Sequence, residues 1–343
     1  MHMSDALLSP AVGGTMWVAA GATLGYCARR LKGHMADEMV PLMGVLGAFV
    51  FAAQMINFTL PGTGSSGHLG GGLLLAILLG PHAAFLVVAS VLTVQALFFA
   101  DGGLLALGSN LVNLGLFPCL LAYPLLYRPL ASTDPGRGRQ TLAAIIAAVA
   151  ALQFGAFAVV LQTSLSGLSE LPLATFALLM QPIHLGIGLV EGVVTAAVVR
   201  YVAQMRPDLL SGMPVLPVAP RRRQKNLAVL SIAAILIGGV LSWFASVHPD
   251  GLEWALAKAG FEEEQGGGDK LHGTLAAVQQ RVTIFPDYGW RPEGESGAAS
   301  VEKETWPQVD AGTSIAGLVG GGLTLLLATV AGLLLKRRAK ESA

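Results

Sequence analysis

Charge is scarce in this chain. Asp, Glu, Lys and Arg make up only 12% of its 343 residues, against about a quarter in a typical soluble domain. That excludes an ordinary water-soluble enzyme. The few charges also cancel, with 21 basic against 21 acidic residues, so there is no bulk basic field to attract nucleic acid and no nucleic-acid partner is expected. The two cysteines, Cys27 and Cys119, sit in apolar stretches, where a free thiol behaves as a small hydrophobe. Neither a disulfide framework nor a cysteine-based metal site can be built from them. The Gly-x-x-x-x-Gly-Lys-Ser/Thr phosphate loop is absent, so the chain is not itself a P-loop ATPase. The start Met1-His2-Met3-Ser4-Asp5 is polar and mildly acidic and lacks the basic, apolar and small-residue sections of a signal peptide, so it reads as a natural or already matured start.

Long hydrophobic runs are what the chain has instead. A spanning helix needs about 20 mostly apolar residues. Long candidates lie at 11–31, 40–58, 83–100, 104–127, 141–163, 171–203, 227–247 and 313–335, and a shorter one at 68–80. The short run must be shielded by neighbouring helices. The expectation is therefore an all-α integral membrane protein of about nine transmembrane helices, seven in a first block and two in a second. Small residues, as in Gly21-Ala22-Thr23-Leu24-Gly25 and Gly186-Ile187-Gly188, predict close helix packing in membrane lipid.

Lys and Arg cluster after the first, fifth and seventh helices and at the chain end, whereas the segment from Asn57 to Gly67 and the turn at Asp101 have none. By the positive-inside rule the N-terminus is outside and the C-terminus inside. The chain is expected to divide into a membrane block at 1–205, a cytoplasmic basic linker at 206–226, and a two-helix block at 227–343. The second block holds an external acidic loop at 248–311, including Glu262-Glu263-Glu264-Gln265-Gly266-Gly267-Gly268, which is expected to project into water with limited regular structure.

Residue two carries the chemistry. Initiator Met is removed before small residues, and His is large, so Met1 is expected to stay. A free amine, a backbone amide and an imidazole then lie in one tight sequence. With the amide deprotonated, amine and amide close a five-membered chelate ring, and amide and His2 Nδ1 close a six-membered one. Three nearly coplanar nitrogens suit Ni(II) or Cu(II) better than tetrahedral Zn(II). His68, in the glycine-rich run Pro61-Gly62-Thr63-Gly64-Ser65-Ser66-Gly67-His68, is the candidate for the fourth corner, since glycine lets backbone approach a ligand closely. Asn57 and Ser66 are candidates to orient the imidazoles. Inside the membrane, His184 and Glu191 share one helical face two turns apart, about 10 Å at 1.5 Å per residue. Such groups either hold structure together by hydrogen bonds or line a substrate path. They are too few for a membrane-embedded hydrolase; as a relay they would serve a passive or proton-coupled metal permease. His34, His82, His248 and His272 are not expected to bind metal.

The start Met1-His2-Met3-Ser4-Asp5-Ala6-Leu7-Leu8-Ser9-Pro10, the stretch Ser66-Gly67-His68-Leu69-Gly70-Gly71, the run Asp101-Gly102-Gly103-Leu104-Leu105-Ala106-Leu107-Gly108 with Asn110 and Asn113, and His184 to Gly192 together resemble the CbiM/NikM family. Pro249-Asp250-Gly251-Leu252-Glu253 resembles the start of the two-helix CbiN/NikN partner, here fused as in NikMN-type chains. The resemblance implies the substrate-binding component of an energy-coupling-factor importer for nickel or cobalt in the bacterial cytoplasmic (inner) membrane. It implies metal ligands at Met1, His2 and His68. It also implies two partners, a transmembrane CbiQ/NikQ-like coupling subunit and a cytoplasmic CbiO/NikO-like ATPase. Ni(II) is the expected cargo and Co(II) the alternative. The chain has Met3-Ser4-Asp5-Ala6-Leu7 where the family often has Ile-Pro-Asp-Gly-Phe or Ile-Met-Glu-Gly-Phe, which leaves the ligands intact.

Overall fold

A computed structural model of the protein describes residues 2–32, 35–36, 38–132, 137–168, 171–205, 220–261, 269–290 and 306–340. Met1, His34, the linker at 206–219 and the run 262–268 lie outside the described residues. Ser9 and Pro10 start the first helix, α1 (Pro10–Leu31): the serine hydroxyl accepts from the Val12 N–H, and proline has no N–H to leave unpaired. After α2 (Met39–Gln54) comes a short antiparallel hairpin, β1 (Phe58–Leu60) with β2 (Ser65–Gly67), in which Thr59 faces Ser66.

Helix α3 (Gly72–Leu79) has eight residues, all buried. This is the shielding that so short an apolar segment requires. The positive-φ Gly80 turns the chain directly into α4 (Pro81–Val94), which continues as a π-helical turn over Gln95–Phe99. Helix α5 (Leu107–Leu111) runs on as a π-helix over Val112–Tyr127, and the wider turn accommodates Pro118 and Pro124, which cannot donate to the helical ladder. The short α6 (Arg128–Ser132) follows. Helices α7 (Arg137–Ser166) and α8 (Leu173–Met205) are antiparallel, with Gly188 against the Val149 backbone and Gln153 Nε2 donating to the Gln181 carbonyl.

The two helices of the second block, α9 (Pro220–Gly239) and α12 (Ala311–Lys340), pack together against α2. Gly238 and Gly317 meet backbone to backbone, Gly320 sits under the Phe51 ring, and Trp243 Nε1 donates to Ser314 Oγ at 2.8 Å. All nine hydrophobic segments expected from the sequence contain helix. Among the described residues, five helices are long and apolar enough to cross a membrane, while α2, α3 and the apolar part of α9 are shorter.

Two expectations change. The connection between α9 and α12 has more regular structure than expected: among the described residues it forms α10 (Gly251–Lys258), α11 (Lys270–Val282) and a 3-10 turn at Pro286–Tyr288. Asp250 caps α10 through the Leu252 and Glu253 N–H groups, with Glu253 bonding back in a capping box, and Asp269 caps α11. Leu252, Ala255 and Leu256 are then buried, which fixes α10 in place. The second change concerns Gly21 and Gly25 of α1, which are exposed with no neighbour against them, whereas Gly188 on α8 is closely packed as expected.

Replacing Gly317 by Val forces branched atoms into the Gly238 backbone. Overpacking of this kind costs about 1–3 kcal/mol, so thermal unfolding in detergent should shift down for Gly317→Val and be unchanged for a substitution at exposed Gly21.

Candidate metal centre

The polar end segment, residues 2–8, lies inside protein rather than in solvent, and four groups make that possible. Asn110 Oδ1 accepts from Met3 N–H at 2.8 Å, and Asn110 Nδ2 donates to the Met3 carbonyl at 3.2 Å, as a neighbouring strand would. Gly103 N–H donates to the same carbonyl at 2.9 Å. The Asp5 carboxylate accepts from Ala106 N–H at 2.9 Å, before the start of α5. Met3 itself is fully buried, with its sulfur against Asn113 Nδ2. Gly102 has φ +83°, and a Cβ there would fall 2.8 Å from Asn110 Nδ2, so glycine is required for this approach.

His2 is thereby carried against His68: the rings are stacked, 5.0 Å between centroids and 6° from parallel. His2 Nδ1 lies 2.9 Å from Asp101 Oδ1, and its Nε2 is buried with no hydrogen-bond partner. The other Asp101 oxygen accepts from the Tyr288 hydroxyl. Burial alone raises the Asp101 carboxyl, but His2 and the Tyr288 hydrogen bond more than offset it, so Asp101 stays well below the usual carboxylate range. Parallel rings aim their in-plane lone pairs side by side, not at one point. A cation held by both imidazoles therefore requires the His2 ring to turn.

His68 is held through its backbone. Glu191 accepts from Gly70 N–H at 2.8 Å and Gly71 N–H at 3.1 Å, and Gln54 Nε2 donates to the Gly70 carbonyl at 2.8 Å. His68 Nδ1 faces the Leu69 carbonyl at 3.2 Å, which accepts only from N–H, so Nδ1 carries the proton and Nε2 keeps the lone pair. Burial, reinforced by the positive chain terminus and His2, lowers the imidazole to about 3 against the pull of Asp250 and Asp101. A neutral imidazole is the metal-binding form.

The other sequence candidates fall as follows. Glu191 anchors the His68 loop. His184, fully buried on α8, has Nδ1 2.8 Å from the Met180 carbonyl, while its Nε2 is unpartnered. It lines a cavity of about 10 Å³ with His68 and Asp250. Ser66 Oγ donates to the carbonyls of His248 (2.8 Å) and Pro249 (3.2 Å), tying the hairpin to the second block rather than orienting an imidazole. Asn57 gives its carbonyl to Ser246 N–H at 2.7 Å. Met1 lies outside the described residues. Among the described residues no group of three or more His, Cys, Asp or Glu is placed to hold a metal.

Sequence reasoning passed over Asp101, His272 and Tyr288. Asp101 left a signal, an acid beside Gly102-Gly103 in an otherwise uncharged turn. Tyr288 left none. His272 faces acceptors on both sides, with Nδ1 2.9 Å from Asp269 and Nε2 3.0–3.1 Å from the Leu8 and Asp5 carbonyls. It thus clamps the end segment to α11.

The arrangement is that of a multi-pass helical membrane protein in which the rings of His2 and His68 are stacked, and the comparisons put it in the class of metal-transport proteins. Residues 2–209 match the family described as the cobalt uptake substrate-specific transmembrane region, CbiM, and residues 224–337 match the PDGLE domain. The chain belongs to the CbiM family and is of the fused type. It is 34% identical over 95% of its length to 96% of the putative fused nickel transport protein NikMN of Archaeoglobus fulgidus. It is also 38% identical over 61% of its length to 93% of a putative metal transport protein of Haloquadratum walsbyi. A solved truncated transition metal transporter superposes with TM-score 0.52 at 31% identity, covering 60% of this chain and 99% of that one.

Two outcomes follow from these contacts. Glu191→Ala leaves two buried N–H groups without acceptors, at about 1–3 kcal/mol each, and should speed hydrogen exchange at Gly70 and Gly71, with Glu191→Gln recovering part of the protection. His272 is the pH-dependent contact. Burial opposes its charge, but Asp269 and the Leu8 and Asp5 carbonyls outweigh this and raise its pKa. The clamp is therefore at full strength below the unfolded value of about 6.5 and weakens as pH rises through the higher folded value. Exchange at residues 5–8 should accelerate over that window, and His272→Ala should remove the pH dependence.

Proposed function

We propose that this chain is the substrate-capturing membrane component of an ATP-driven energy-coupling-factor importer for Ni(II). The observation that carries the reading is the stacked His2–His68 pair, set at the end of a chain segment that buried side chains hold in place. The donor set is the Met1 amine, the His2 amide and Nδ1, and His68 Nε2. These four nitrogens suit a square-planar ion. Co(II) is the alternative cargo of the same donors, and relatives carry names of both kinds.

Capture requires His2 Nδ1 to leave Asp101. A half-turn of the ring about Cβ–Cγ exchanges Nδ1 with Cδ2 and brings Nε2 toward the carboxylate. Asp101 then accepts from Nε2–H and holds the ring by its far edge, the usual way a ligating histidine is oriented. The neutral state of His68 supports its role, because no proton has to be displaced from Nε2.

Energy comes from a CbiO/NikO-like ATPase through a CbiQ/NikQ-like coupling subunit, in the bacterial cytoplasmic membrane and with membrane lipid around the apolar helices. The N-terminus faces outward. Blocks 1–205 and 227–343, joined by the basic linker, act as one unit.

Adding one uncleaved residue before Met1 destroys the amine-amide chelate while leaving both histidines. Stoichiometric Ni(II) binding by the purified chain is expected to be lost, and lost again in His68→Ala. Unchanged stoichiometry and affinity in the extended chain would sink the chelate. Uptake into proteoliposomes that needs neither ATPase nor coupling subunit would instead favour a passive permease.

A further inference from the structure

The second block reaches the candidate metal centre through one side chain. Tyr288 lies on the 3-10 turn after α11, and its hydroxyl donates to the Asp101 oxygen opposite the one on His2. Its ring is stacked on Phe99, 5.0 Å between centroids and 19° from parallel, and meets Phe51 edge-on at 6.2 Å. The backbone there is held in an uncommon state: Asp287 and Tyr288 have φ of 49° and 61°. Two consecutive non-glycine residues in the left-handed region persist only where surroundings over-determine them. The surroundings are visible. Ile284 and Phe285 N–H groups both donate to the Phe98 carbonyl, at 2.9 and 3.1 Å, and Gln279 Nε2 donates to the Ala96 and Gly102 carbonyls at 2.8 Å. The turn is thus fastened to the same 96–102 segment that carries Asp101.

From this we infer that Tyr288 is a positioning residue for the metal centre, supplied by the second block: it fixes Asp101, which faces His2 Nδ1 in the orientation seen, so that once the ring has turned the carboxylate accepts from Nε2–H and holds the imidazole in its metal-binding orientation. The inference rests on the reading of His2 as a ligand. Asp101 has two oxygens and two partners. With Tyr288 on Oδ2, the carboxylate cannot rotate away from His2 without giving up a buried hydrogen bond. Burial and the neighbouring carboxylate push the phenol well above its ordinary value, so it remains a donor. A phenylalanine at 288 keeps the ring stack and removes only the donor.

The test uses the full chain loaded with Ni(II), in four forms: parent, Tyr288→Phe, Asp101→Asn and the double variant. Release to a chelator and the Ni(II) d–d absorption band are followed. Loss of an orienting partner behind a ligating histidine typically costs tenfold to a hundredfold in affinity. Release about tenfold faster is expected in Tyr288→Phe, with a broadened d–d band and an unfolding midpoint lowered by no more than the loss of one buried hydrogen bond brings. The double variant should release no faster than Asp101→Asn alone, because both changes act through one carboxylate. Parent-like release in Tyr288→Phe beside fast release in Asp101→Asn would overturn the positioning role and leave the ligand reading intact, as would additive effects. A parent-like d–d band in His2→Ala would overturn the ligand reading itself, and the positioning role with it.

Discussion

Asn110 pairs with both the N–H and the carbonyl of Met3, and the arrangement of this end of the molecule depends on that pairing. A polar chain segment entering an apolar helical bundle brings backbone groups that water no longer serves, and each unmatched one costs free energy. The side-chain amide supplies a donor and an acceptor at the spacing of a strand edge. Gly103 and Asp5 complete the accounting on either side. With residues 3–5 fixed, His2 has little choice of position, and it comes to rest on the face of His68.

The opposing histidine is fixed by the same device with the polarity reversed. Glu191 offers a buried carboxylate to two successive backbone N–H groups, and Gln54 offers a donor to the carbonyl between them. A buried charge in a helix is tolerated because hydrogen bonds replace its hydration. Both imidazoles are thus placed by backbone-anchoring side chains from distant helices, α5 for one and α2 with α8 for the other. The second block closes the arrangement from the remaining side, through Pro249 on the hairpin, His272 on the end segment and Tyr288 on Asp101.

Much of this was legible beforehand, and the reasons are physical. Apolar length marks helices in a membrane protein because lipid leaves the backbone no alternative, so the nine segments could be read directly, the eight-residue α3 included. His2, His68, His184 and Glu191 stood out because polar groups are rare in such a chain. Their roles were less legible. Seven residues apart on α8, His184 and Glu191 read as groups that either hold structure by hydrogen bonds or line a substrate path; Glu191 bonds the His68 loop, and His184 faces the Met180 carbonyl and a small cavity. Ser66 looked like a partner for an imidazole and instead binds the carbonyls at 248–249. The 248–311 connection read as a loop of limited regular structure from its acid and glycine content. Its caps at Asp250 and Asp269 and the apolar face of α10 were present in the sequence but needed a surface to fold against.

By itself, then, the sequence determined the helical membrane class and the apolar segments that become helices, because composition and apolar length act locally along the chain. Only the tertiary structure decided that Asp101 and Tyr288 belong beside His2, that α11 clamps the end segment, and that Gly21 and Gly25 of α1 face outward. The contacts among them join residues 99 positions apart, as His2 with Asp101, and further. They are set by which buried donors and acceptors satisfy one another across helices, and no local pattern records that choice.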